Sequence, residues 1–160
     1  MQILNQPHIK HVGIADVKFG KNVKVVSPVN LYGCAIGNNV FIGPFVEVQR
    51  GVTIGDMTKI QSHSFICELV DIGKDCFVGH GVTFINDLFA NGGPAKGDRS
   101  LWKQTKIGDN VSIGSNATIL PVEVCSNVVI GAGSVVTKDI NEPGIYVGNP
   151  IRFIKTFSNN

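Results

Sequence analysis

IGNNVF-IGPFVE-VQRGVT-IGDMTK-IQSHSF-ICELVD-IGKDCF-VGHGVT-F, residues 36 to 84, is a run divided here every six positions. The first position of each block holds Ile36, Ile42, Val48, Ile54, Ile60, Ile66, Ile72, Val78 and Phe84, with no slip of frame. The fifth holds Val40, Val46, Val52, Thr58, Ser64, Val70, Cys76 and Val82, always small or β-branched. The second is most often Gly. A helix repeats every 3.6 residues and a half-buried strand alternates every two, so neither alone yields this period. A short strand followed by a sharp turn does, provided that positions one and five both face inward.

Three such blocks close a triangular coil of roughly eighteen residues, and successive coils stack about 4.8 Å apart, the spacing of paired strands. A single coil cannot bury its inner face, so stability has to come from stacking. On this arithmetic Ile36, Ile54 and Ile72 belong to a first wall, Ile42, Ile60 and Val78 to a second, and Val48, Ile66 and Phe84 to a third. Outward sixth positions include Phe41, Phe65 and Phe77. Aromatics on a regular wall point to a subunit interface, because monomers rarely expose large apolar patches.

The period also runs upstream through Phe19, Val25 and Leu31, with one slip before Ile36. It returns downstream as IGDNVS and IGSNAT, loses a residue in ILPVEV, and resumes from Val124 through Ile130 to Val136. Between lies an interruption, residues 86–104, rich in Asn, Asp, Gly, Pro and Lys and carrying the only Trp, Trp102. Long loops in compact domains are usually functional. The expected organisation is one all-β domain over residues 1–160: coils from about 13 to 140, the external loop 86–104, and a short C-terminal tail, 141–160.

Composition narrows the classes. The 160 residues carry a net charge of +2 with no basic run, which gives no reason to expect nucleic acid. No apolar stretch approaches the ~20 residues of a membrane span, and the start MQILNQPHIKHVG lacks a signal-peptide core. A cytoplasmic location is expected, with no membrane partner. Cys34, Cys67, Cys76 and Cys125 form no C-x-x-C pair, so reduced structural thiols are expected rather than zinc or redox chemistry.

The [LIV]-G-x-x-[STAV]-x pattern resembles the hexapeptide-repeat, left-handed parallel β-helix family. The left hand is an implication of that resemblance, since the general crossover rule favours the opposite one. The family implies a homotrimer and, for many members, acyl transfer from acetyl-CoA. The ending GAGSVVTKDINEPGIYVGNPIRFIK, residues 131–155, resembles the acetyltransferase branch. HSFICE (63–68) and VGHGVTFIND (78–87) are similar to blocks in enzymes that N-acetylate the 3-amino group of nucleotide-linked sugars. The chain as given has no added amino-terminal domain of the kind seen in the 4-amino-sugar enzymes, and Cys125 with the shortened ILPVEV turn departs from the pattern.

What the resemblance implies is a nucleotide-sugar substrate, dTDP- or UDP-linked and destined for surface glycans such as O-antigen or S-layer, bound between subunits near His80, Asn86 and Glu68. Acetyl-CoA would run along later coils, and no metal is expected. Among the residues themselves, His80 is the candidate general base, since an imidazole titrates near neutrality. Asn86 offers an amide to orient an amine or to donate to an oxyanion. His63, Glu68, Asp87 and Trp102 are candidate substrate contacts, Trp102 also as the loop's anchor. Small turns at Gly114, Ser115, Ala132 and Gly133 suit a pantetheine arm, and Lys138 and Arg152 suit its phosphates. His8 and His11 lie in the irregular start and are expected to do no catalysis.

Three other readings compete. O-acetylation of a sugar or other hydroxyl would use a similar His. A γ-class carbonic anhydrase needs three His, two in an H-x4-H spacing, and the residue five beyond His80 is Ile85. A non-enzymatic scaffold would carry the repeat without the chemistry.

Overall fold

The computed structural model describes residues 8–157. Residues 1–7 and 158–160, which belong to the expected start and tail, lie outside the described residues. The chain winds into a parallel β-solenoid of about seven turns, in keeping with the left-handed hexapeptide form. Among the described residues its first wall has six strands, including Ala35–Ile36, Thr53–Ile54, Val70–Ile72 and Thr105–Ile107. The second wall has eight and the third seven. Pairing is parallel throughout, except where Arg152–Lys155 returns against Gly144–Val147. Among the described residues no helix is long and apolar enough to cross a membrane.

Each hexapeptide's sixth and first residues form the strand, as in Phe41–Ile42 and Phe65–Ile66, and a corner follows. Position one points into the prism: Ile42, Val48, Ile60, Ile66, Val78 and Phe84 are fully buried. Position five is buried beside it, from Val40 to Val82. Two of these fifth residues are hydroxylic, and corner carbonyls satisfy them. Thr58 Oγ1 donates to the Gly73 carbonyl at 2.9 Å, and Ser64 Oγ to that of Gly79 at 2.9 Å. A buried hydroxyl without a partner would cost about 1–3 kcal/mol, so these bonds explain why polar atoms are tolerated there. Of the outward sixth-position aromatics, Phe77 is exposed while Phe41 and Phe65 are half-buried.

The glycine at position two is explained by close approach. A Cβ on Gly73 would lie 2.4 Å from Asp109 Oδ1 and 2.6 Å from the Gly108 carbonyl oxygen of the next coil. That carboxylate oxygen accepts the Lys74 backbone N–H at 2.8 Å, so the next coil caps the corner beneath it. Asp56 does the same for Asn38, and those hydrogen bonds hold its carboxyl below the usual carboxylate range.

All variation in repeat length falls at one corner. From the first wall to the second the step is always six residues, as in Ile36 to Ile42 and Ile107 to Ile113, and likewise from the second to the third, as in Val78 to Phe84. From the third wall to the first it is five at Leu31 to Ile36 and at Ile119 to Val124, six at Ile66 to Ile72, and twenty-three at Phe84 to Ile107. The long loop is one extreme of this seam. It leaves after Thr83–Phe84 and rejoins with Val70 against Thr105 and Ile72 against Ile107, so the stack continues undisturbed.

The tail is more ordered than its sequence suggests. Gly144–Val147 adds a strand to the second wall beside Val128–Ile130, and Arg152–Lys155 folds back on it. Tyr146 meets Phe153 edge-on at 5.3 Å. The strand formers Ile145, Tyr146 and Val147 carry that signal, which the Pro-Gly turn before them obscures.

Cys34, Cys67 and Cys76 are buried free thiols. Burial pushes the Cys67 thiol up to about 12 and raises Cys76 as well. In the native protein a thiol-specific disulfide reagent should therefore modify the partly exposed Cys125 first and the other three only on unfolding. Cys76→Ala should lower stability by about 1–2 kcal/mol in a denaturant titration and leave the fold intact. Gly73→Ala should cost more, about 1–3 kcal/mol, because a Cβ there meets backbone.

Candidate active site

The corner after the second wall stacks short segments that include Pro44–Phe45, Ser62–His63, His80–Gly81, Ser115–Asn116 and Ala132–Gly133. Backbone bonds tie each to the one before, including Gly81 N–H to the Ser62 carbonyl at 3.0 Å, Asn116 N–H to the His80 carbonyl at 2.8 Å, and Gly133 N–H to the Ser115 carbonyl at 2.9 Å. The fourth position of each corner is left-handed, with φ of 63° at His63 and 66° at Gly81. His63 is held there with its ring stacked on Phe45, centroids 4.8 Å apart.

His80 occupies the third corner position and is exposed. Its Nδ1 lies 2.9 Å from Ser62 Oγ, one coil below. When Nδ1 carries the proton and donates it to Ser62 Oγ, the Nε2 lone pair faces outward, ready to accept a proton. Ser62 thereby fixes the ring and can select its tautomer. Above it, Gly114, Ser115, Ala132 and Gly133 continue the column, and the backbone N–H groups of Ser115 and Ala132 have no protein acceptor among the described residues. Small side chains and free amides thus lie on the same edge as the imidazole.

The corner after the third wall is built differently. Asn86 Nδ2 donates to the Glu68 carbonyl at 3.1 Å, and the Asn86 carbonyl accepts the Lys103 N–H at 2.9 Å, so one residue ties together both feet of the loop. Asp87 takes the Phe89 N–H at 2.9 Å on one carboxylate oxygen and the Ala95 N–H at 2.7 Å on the other. Both its oxygens organise the loop, a different task from the substrate contact expected of it. The Glu68 carboxylate pairs with the Arg99 guanidinium, which lies over the Trp102 ring at 5.5 Å. Glu68 Oε2 is buried and has no hydrogen-bond partner apart from that ion pair. Below it Gln49 Oε1 accepts the Glu68 N–H at 3.3 Å, while Gln49 Nε2 donates to Glu47 at 2.9 Å. Burial and the Glu47 carboxylate raise the pKa of the neighbouring Tyr32.

The expected site residues thus fall into three groups. His80, Gly114, Ser115, Ala132 and Gly133 share the second-wall corner with His63. Glu68, Asn86, Asp87 and Trp102 share the third-wall corner. Lys138 and Arg152 border a cleft at the C-terminal end with Tyr146 and Phe153. His80 and Asn86 stand at opposite ends of the strand Thr83–Phe84, up to about 20 Å apart along an extended chain. Sequence reasoning missed Ser62 and Arg99. Coil arithmetic could have found Ser62, eighteen residues before His80. Arg99 lies in an aperiodic segment, and nothing there signals its partner. No group of three or more His, Cys, Asp or Glu could hold a metal among the described residues.

Comparison with known proteins agrees with this architecture. Residues 33–68 match the bacterial transferase hexapeptide (six repeats), and residues 104–138 match the hexapeptide repeat of succinyl-transferase. With the fold, these matches show that the chain is built of hexapeptide repeats similar to those of bacterial transferases. Among solved structures it is similar to AntD, an N-acyltransferase from Bacillus cereus crystallised with dTDP and coenzyme A. The identity is 27% and the TM-score 0.78, covering 88% of this chain and 84% of that one. A galactoside acetyltransferase in complex with coenzyme A is 30% identical with a TM-score of 0.64, covering 76% of this chain and 64% of that one. The bifunctional protein GlmU of Acetivibrio thermocellus is 31% identical over 160 residues, 96% of this chain. The chain spans only 31% of that protein's length.

Because Asn86 closes the foot of the loop, Asn86→Ala should leave the coils folded and loosen residues 87–103. Limited trypsin digestion should then cut faster at Lys96, Arg99 and Lys103, with the thermal unfolding midpoint little changed.

Proposed function

We propose that the chain is an acetyl-CoA-dependent N-acetyltransferase acting on the 3-amino group of a dTDP- or UDP-linked sugar destined for a surface glycan. It works in the cytoplasm as a homotrimer, with its sites between subunits. The observation that carries the reading is the pair of corners joined by Thr83–Phe84. One presents an outward imidazole braced at Nδ1, and the other a buried carboxylate and a primary amide under a loop. The likeness to AntD, named as an N-acyltransferase and crystallised with dTDP and coenzyme A, supports both the cosubstrate and the class of acceptor. The two corners lie at opposite ends of that strand in one chain, and in this reading a neighbouring subunit's loop meets His80 to complete a site.

The chemistry in this reading is direct transfer. The acceptor arrives as an ammonium ion and loses one proton to His80 Nε2. Its nitrogen then attacks the thioester carbonyl, and a tetrahedral oxyanion forms opposite backbone amides of the second-wall corner, where Ser115 and Ala132 have N–H groups to spare. The C–S bond breaks, the sulfur takes the remaining surplus proton, and coenzyme A leaves as the thiol. Buried thiols such as Cys76 take no part, so no acetyl-enzyme forms. Gly114, Ser115, Ala132 and Gly133 flank the pantetheine arm, and Lys138 and Arg152 receive phosphates.

The likeness to a galactoside acetyltransferase favours a second reading, O-acetylation of a sugar hydroxyl. A panel of dTDP- and UDP-linked amino sugars set against hydroxyl acceptors, assayed by release of the coenzyme A thiol, separates the two. Turnover restricted to amines supports the proposal, and turnover of hydroxyl acceptors alone would replace it. His80→Asn should lower kcat about 10²–10⁴-fold, the range of a general base. Mixing inactive His80→Asn and Asn86→Ala chains, unfolding and refolding them together should recover activity, because some mixed trimers then carry an intact site. Failure to recover it in a refolded trimer would place both residues in one subunit's site.

A further inference from the structure

The contact that the proposed reaction leaves unexplained is the Glu68–Arg99 pair. A buried carboxylate oxygen without a counter-charge is strongly disfavoured, and here the counter-charge comes from a loop that stands outside the coils. Glu68 itself is held firmly, its N–H on Gln49 and its carbonyl on Asn86. Arg99 is not: its side chain is 58% exposed, it lies in a single 3-10 turn, and its guanidinium rests on Trp102. A fixed anion thus faces a displaceable cation. An amino sugar brings a cation of its own, the ammonium group, which can take the place of a guanidinium beside a carboxylate.

We infer that Arg99 is a stand-in for the acceptor's ammonium group: it masks Glu68 in the free protein and is displaced when a cationic amine binds. The inference rests on the proposed N-acetyl transfer and deepens it, since a neutral hydroxyl acceptor could not take over Arg99's place on the carboxylate. Arg99 is then a positioning residue that competes with substrate, and its removal has an unusual sign. A residue that merely held the loop down would, when lost, weaken substrate binding. A competitor, when lost, strengthens it. If the mask is closed roughly nine-tenths of the time, apparent affinity is lowered about tenfold, and removing the mask restores that factor.

Trp102 is the only tryptophan and lies under the guanidinium, so its emission reports the exchange directly. The test titrates the full chain with a dTDP-linked 3-amino-3,6-dideoxyhexose and with its N-acetylated product, which has the same nucleotide and no ammonium. The amine should shift Trp102 emission and the acetylated compound should not. Arg99→Gln should begin at the shifted emission, give no further change, and lower the KM for the amine by about 3–10-fold. Arg99→Lys, which keeps a cation opposite Glu68, should behave like the wild type. Equal emission changes with both compounds, or a raised KM in a folded Arg99→Gln variant, would overturn the inference. Wild-type turnover is measured in the same experiment. Absence of turnover with any amino sugar refutes the proposed function and the mask with it, whereas normal turnover with either overturning result refutes the mask alone.

Discussion

Every coil must sit one strand spacing, about 4.8 Å, above the last, on all three walls at once. That requirement governs the rest of the molecule. Corner N–H groups reach the carbonyl one coil below, as Asn116 does to His80 at 2.8 Å. Inward Ile and Val columns fill the prism, and no Cβ fits at Gly73 because the next coil's backbone and Asp109 are already there. The polar atoms that fall inside, on Thr58 and Ser64, are tolerated because corner carbonyls are within reach. Stability is therefore spread along the stack instead of being concentrated in one cluster.

The candidate site uses this rigidity in two ways. At the second-wall corner, the stack brings residues eighteen apart into contact, which is how Ser62 comes to brace His80 at 2.9 Å. At the third-wall corner, the stack supplies a fixed platform, with Gln49, Glu68 and Asn86 held coil to coil, against which a softer loop closes. Chemistry that needs one immobile partner and one movable partner finds both there.

How much could be read from the sequence follows from the same constraint. The walls and the inward columns were legible because the period converts sequence distance into spatial distance. The limits of the loop were legible as the place where the period fails. What lies inside that failure was not. Arg99, Asp87 and Trp102 have no register, so only coordinates reveal that Arg99 meets Glu68 and that Asp87 caps the loop's own amides. The terminal strand Gly144–Val147 was hidden for a related reason: it joins the second wall after the hexapeptide count has ended.

The confinement of length changes to a single seam separates two demands that compete in most enzymes. Inheritable variation in the third-to-first corner can lengthen, shorten or rewrite a loop while the neighbouring strands keep their partners, as they do on either side of residues 85–104. Alterations of loop length and sequence then arise on one edge of the prism, and the hydrogen-bonded walls remain neutral to them. The seam is where a grafted loop, an affinity tag or a foreign recognition segment can be inserted with the least disturbance to folding.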